Sequence, residues 1–403
     1  MFSGLSKKTG CILLLMLAVL IGGCKEDGAA SNKLFDYRQI ELDNGMKVIS
    51  LEDFSTPIVS VQVWYKVGSK DEDPERRGFA HMFEHMMFKG TDRVSEKDHF
   101  DSIHKVGGTN NAYTSFDKTV YTQTVPVDKL EMVLWLEAER MTFLTVNQES
   151  FDTERNVVEE EMRMRANRPY GTAFEKILRG IFKVHPYQWT PIGEQEDLRA
   201  STVAELRAFW QKYYVPNNAA LVVVGAVKHE DVQELAEKYF GWVPRYDDPE
   251  QVTIREPEQK QARRLVIDDE NAPAAMAEVF WRTVPSGHKD EVALDLLSEI
   301  LGAGNSSRLY RELVAEKQTA VAASAWVYNL EHDGLFGADV TEAPGADTEE
   351  LATAIMRNVK ELADNGVTDE ELEKAKNRAL KAVVTQNLTV ERKTSVLGNA
   401  AMV

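Results

Sequence analysis

The chain is 403 residues long, with 43% hydrophobic and 28% charged residues and a formal net charge of −18. That length fits two ordinary domains, and the apolar content is that of material with a buried core. The acidic balance argues against nucleic acid as a partner and against electrostatic membrane binding.

At the amino terminus Lys7 and Lys8 precede "CILLLMLAVLI", an apolar run sized for a signal-peptide core and too short for a mature membrane span. It runs into "IGGC", which resembles a bacterial lipobox. Residues 1–24 are therefore expected to be a lipoprotein signal peptide, with Cys24 lipidated and residues 25–36 a polar tether. Lys25 after Cys24 favours the periplasmic side of the outer membrane, if the host is Gram-negative. Cys11 leaves with the signal, so no disulfide is expected.

Further on, "QIELDNGMKVISLED" and "PIVSVQVWYKVGS" alternate apolar and polar residues around Asn44-Gly45, which predicts antiparallel strands. "HMFEHMMF" predicts a helix, and "TNNAYTSFDKTVYTQTVP" returns to the strand pattern. "KLEMVLWLEAERMTF" and "ESFDTERNVVEEEMRMRA" carry apolar residues at helical spacing. A helix, a Pro-Asn break, a buried strand and another helix complete a first domain over 37–245. Charged, proline-bearing residues 246–262 predict a linker.

Residues 263–403 repeat the outline. "RRLVIDDE", "AMAEVFWRTV" and "TAVAASAWVY" read as strands, and "EVALDLLSEILG" as a helix. Two more helices follow, in "DTEELATAIMRNVKELADNG" and "TDEELEKAKNRALKAVVTQ". The expected fold is α+β. It has two tandem copies, each an antiparallel-rich sheet covered by helices, the second lacking its final helix–strand–helix.

The chemistry concentrates in "GFAHMFEHMMFKGT". On a helix His81 and His85 share a face one turn apart, so both imidazoles can meet one ion. Glu84 borders that face and can act as a base toward water at the metal; a carboxylate in so apolar a setting needs a reason. The pattern is H-x-x-E-H, the inverted form of the H-E-x-x-H zinc motif. Zinc needs a third ligand, and the acid-rich helix offers Glu154, Glu159, Glu160 and Glu161. Glu154 and Glu161, seven apart, share one face, while Glu159 and Glu160 read as a solvated acidic face. Periodicity alone does not choose the ligand. The other histidines, including His99, His104 and His185, lack such spacing and read as ordinary core or surface residues.

These features together resemble the pitrilysin/insulysin zinc peptidases, the insulinase-like family of mitochondrial processing peptidase and its bacterial relatives. "GGTNNAYTSFDKTVY", "HPYQWTPIGEQEDL" and "FWQKYYVPNNAALVVVG" are similar to that family's first-half landmarks. The resemblance implies Glu161 as the third ligand of one zinc per chain, with Glu154 supporting a ligand histidine from behind. It also implies an extended peptide substrate added as a strand along Asn111, Ala112 and Tyr113. Active relatives often carry an arginine and, seven residues on, a tyrosine in the second half. Alignment on "SSRLY" puts Val314 and Val321 there. A homologous Arg/Tyr-bearing partner subunit, or a further C-terminal half, is therefore expected. The expected function is a zinc endopeptidase cutting extended peptides; the alternative is a non-catalytic peptide-binding or assembly subunit.

Overall fold

The computed structural model describes residues 34–402; the expected signal peptide, Cys24 and most of the polar tether lie outside the described residues. Strands β1 (Arg38–Glu41), β2 (Lys47–Glu52) and β3 (Ile58–Tyr65) come first, followed by helices α1 (Phe79–Met86) and α2 (Glu96–His104). Strands β4 (Thr109–Thr114) and β5 (Thr119–Pro126) precede helices α3 (Leu130–Phe143), α4 (Gln148–Ala166), α5 (Ala173–Ile181), α6 (Gln195–Ala200) and α7 (Val203–Tyr213). Strand β6 (Ala219–Gly225) and helix α8 (His229–Phe240) end this part.

The six strands form one sheet in the order β1-β2-β6-β3-β5-β4. Only the β2–β6 pairing is parallel. β6 lies between β2 and β3, and its run "AALVVVG" is buried throughout, as an interior strand requires. Along β3, Val59, Val61 and Val63 fall in the core with α1 and α3. Ser60, Gln62 and Trp64 point to the opposite face.

Residues 244–275 carry no regular structure. Beyond them come β7 (Met276–Thr283), α9 (Glu291–Gly302), a π-helical segment (Tyr310–Glu316), β8 (Ala320–Asn329), β9 (Gly334–Glu342), α10 (Thr348–Asn365), α11 (Asp369–Gln386) and α12 (Val390–Met402). The second sheet runs β7-β9-β8, the same order as β3-β5-β4. This is the repeat expected from the sequence, with three strands where the first copy has six.

"RRLVIDDE" is not a strand. In the first copy β2 is held to the sheet through β6, and no counterpart of β6 is present among the described residues. Without that partner the segment has no ladder to join, and Leu265 and Val266 are exposed.

Chain order does not divide the packing cleanly, and Tyr37 onward forms one unit. The reason is an exchange of helices. Leu178 of α5 packs with Leu330 and Leu335 of the second half, and Phe174 meets Tyr328 edge-on. In return α12 lies on the open face of the first sheet, where the Gln62 amide donates to Ser395 Oγ and Lys393 pairs with Asp53. Lys70, almost wholly buried, adds a charged tie between the halves through Glu331. Among the described residues, no helix is long and apolar enough to cross a membrane.

The Lys393 ammonium, then the Ser55 hydrogen bonds, hold Asp53 down from 3.8 to about 2. A depressed carboxylate contributes stability above its unfolded value and loses it as pH falls through the folded one. Protease nicking near α12 should therefore rise between about pH 4 and about pH 2 in wild type. In Asp53→Asn that step should be missing.

Candidate metal centre

Helix α1 is set by its start. Gly78 adopts φ 99°, a left-handed conformation that suits glycine, and packs against the backbone of Gly193. The buried Glu72 carboxylate accepts the N–H groups of Gly78 and Ala80, two donors a helix start leaves open. Burial pushes Glu72 up to about 8, while these hydrogen bonds and one from Trp189 pull the other way. Met82, Phe83 and Met86 are fully buried, which fixes the helix rotation and turns His81, Glu84 and His85 toward α4 and the end of β4.

On α4, Asn147 caps the first turn, and Phe151 and Val158 anchor the helix in the core. Its acidic residues then separate by partner. Glu159 pairs with Arg199, and Glu160 with Arg163. Glu154 Oε2 lies 3.1 Å from His85 Nδ1, and its other oxygen takes Lys89 Nζ at 2.9 Å. Glu161 Oε2 lies 3.7 Å from both His81 Nε2 and His85 Nε2.

His81, His85 and Glu161 thus offer three ligand atoms within 4.8 Å of one another. Ligands about 2.1 Å from one zinc sit about 3.4 Å apart, close to the observed histidine–glutamate separations. Two imidazoles and one carboxylate also match zinc's donor preference. Burial, then His85 and Arg165, pushes His81 down to about 3, so it is neutral, as a ligand must be. Burial pushes His85 down, but the hydrogen bond to Glu154 and the Glu161, Glu154 and Glu84 charges together outweigh it and raise the ring's pKa. The Glu154 contact at Nδ1 leaves Nε2 free to face the cluster. Glu154 is itself held low: burial opposes this, and the bonds from His85 and Lys89 prevail.

Burial raises the pKa of Glu84, and hydrogen bonds from Thr114 temper the rise. Thr114 ends β4, which pairs only with β5 and forms the sheet's edge. Asn111 and Tyr113 are exposed on that edge; Ala112 is turned into the core, and Tyr113 stands edge-on to Trp64. Glu72, Lys89 and Thr114 escaped the sequence reading. Only Lys89, four residues past His85, carried even a spacing signal.

In the second half α9 holds "LDLLSEIL" where α1 holds the motif. Val314 packs partly buried against the second core, and Val321 is exposed where β8 shifts register.

Residues 47–192 match the family description "Insulinase (Peptidase family M16)", and residues 201–379 match "Peptidase M16 inactive domain". The chain is 34% identical to the zinc protease PqqE of Helicobacter pylori, over 90% of this chain and 83% of that protein. It belongs to the insulinase family, M16. A probable mitochondrial-processing peptidase β subunit of Arabidopsis thaliana is 28% identical, over 85% of this chain and 66% of its own length. The crystal structure of a protease from Helicobacter pylori superposes with a TM-score of 0.87 at 32% identity, covering 92% of this chain and 90% of that one. The family boundary between 192 and 201 differs from the sheet boundary, since β6 still belongs to the first sheet and α8 packs against α3 and β2.

Proposed function

We propose that this M16 protein is a zinc-dependent endopeptidase that hydrolyses extended peptides. The observation that carries this is the shared Glu161 oxygen, 3.7 Å from each histidine Nε2, with Glu84 on the same helix. His81, His85 and Glu161 would hold one zinc per chain. Bound zinc supplies Lewis-acid polarisation of the peptide carbonyl and of water. Glu84 takes the proton of the attacking water and returns it to the leaving amine; its raised pKa suits both transfers. Glu154 fixes the His85 ring through Nδ1. The free edge of β4 takes substrate as an added strand through backbone hydrogen bonds, which favours unfolded segments.

Val314 and Val321 can neither bind nor polarise a substrate carbonyl. This supports dependence on a homologous partner half that brings arginine and tyrosine. It also keeps a second reading open, a peptide-binding or assembly subunit. The Lys7–Cys24 segment supports an exported lipoprotein anchored on the periplasmic side of an outer membrane.

Chelation followed by zinc return tests the reading. Cleavage of an unstructured peptide should vanish with chelator and come back with zinc. Cleavage that persists without metal would overturn the reading. Activity that appears only when an Arg/Tyr-bearing homologue is added would establish the divided arrangement.

A further inference from the structure

On the face of the first sheet away from α1, a cavity of about 260 Å³ opens between β3, β5, the edge strand β4 and the start of α12. Strand register puts Ser60, Thr124 and Thr109 in one row and Gln62, Thr122 and Asn111 in the next. Hydroxyl- and amide-bearing side chains therefore line the floor, with their carbon atoms forming most of its surface. Gln62 is spoken for: it donates to Ser395 and accepts from the Trp64 indole. Thr122 donates to the Asn111 carbonyl. Ser60 is different. It is 1% exposed, lines the cavity, and its hydroxyl has no hydrogen-bond partner within the protein. A buried hydroxyl without a partner is costly, and beside a cavity lined by hydroxyl- and amide-bearing side chains it calls for a group that enters from outside.

Glu391 and Arg392 stand together at the rim. Their charges offset, so the wall offers no net counter-ion for a buried charge. Every floor group can both donate and accept, which matches a neutral amide. A side chain on a strand added beside β4 starts about 4.8 Å from β4 itself, so only a long one reaches across. Along the strand, Asn111 and Thr109 lie three and five residues from Thr114, the residue that meets Glu84.

We propose that this cavity is a side-chain pocket for the extended peptide docked on β4. It selects a long neutral amide side chain, glutamine above all, three to five residues from the bond that is cut. The inference rests on β4 as the substrate edge, part of the function proposed above.

The test is peptide binding to the full chain carrying Glu84→Gln, read by fluorescence anisotropy. Glutamine, alanine, glutamate or arginine is scanned along one extended peptide. Glutamine at one position should bind about tenfold tighter than alanine there, the effect of one or two new hydrogen bonds. Adding Ser60→Ala should bring that ratio close to one. Because the lost hydroxyl has no partner in the protein, this variant should fold at least as well as its parent. Thr124→Val is the second variant and should also lower the ratio. Equal binding of all four peptides at every position, or a glutamine preference that survives both variants, overturns the proposal and leaves a water-filled cavity. Cleavage by the wild-type chain is measured alongside. Cleavage without a glutamine preference sinks the pocket alone, and a preference without cleavage, even after zinc and an Arg/Tyr-bearing homologue are added, sinks the peptidase reading alone.

Discussion

Replacing Glu84 by glutamine should slow peptide cleavage by a factor of about 10² to 10⁴, the usual contribution of a general base, and leave zinc content unchanged. Glutamine keeps the length of the side chain and can still bond to Thr114. It cannot accept the proton of an attacking water. Glu84 is not among the three clustered ligand atoms, so metal affinity should not follow activity. A purely structural zinc site has no use for a base, so this split between binding and turnover separates enzyme from scaffold. Cleavage by Glu84→Gln within about threefold of wild type would remove Glu84 from that role.

Gly398→Val should be the most damaging substitution far from the metal centre. A Cβ at Gly398 would lie 2.1 Å from the Trp64 indole, with two more ring atoms within 2.5 Å. Trp64 cannot retreat: it is 1% exposed, its Nε1 donates to Gln62 at 3.0 Å, and Tyr113 stands against its ring. The helix must therefore lift from the sheet, which strains the Lys393–Asp53 pair as well. Overpacking of this kind costs about 1–3 kcal/mol, and the branched valine belongs at the upper end. Thermal unfolding should fall by several degrees, and α12 should become open to proteolysis. Ala400→Val, at an exposed position on the same helix, is the control. Equal melting of the two variants would mean that α12 is not tightly seated on Trp64.

What could be read from the sequence was whatever is local. The spacing of His81, Glu84 and His85 survives in the structure because helix periodicity alone puts them on adjoining faces. The Asn44-Gly45 turn and the strand pattern over β4 and β5 were legible for the same reason. Among the four candidate glutamates of α4, helix periodicity alone did not choose the ligand, and Glu161 came from the family resemblance. Glu159 and Glu160, read as a solvated face, do turn away from the metal cluster, and their partners Arg199 and Arg163 were not legible in the sequence. The alternation in "RRLVIDDE" looked like a strand, but a strand exists only beside a partner. The exchange of α5 and α12 left no local trace, since an amphipathic helix does not state which sheet it will cover. Glu72 caps α1 from a loop six residues upstream, a contact made possible only by the fold.

Zinc content of the purified chain, wild type beside Glu161→Gln, bears most directly on the proposed centre. One zinc per wild-type chain is expected, with a marked loss in the variant, because only His81 and His85 then remain as strong ligands. A metal-free wild-type protein, or full zinc in Glu161→Gln, would contradict the assignment of this cluster as the zinc site.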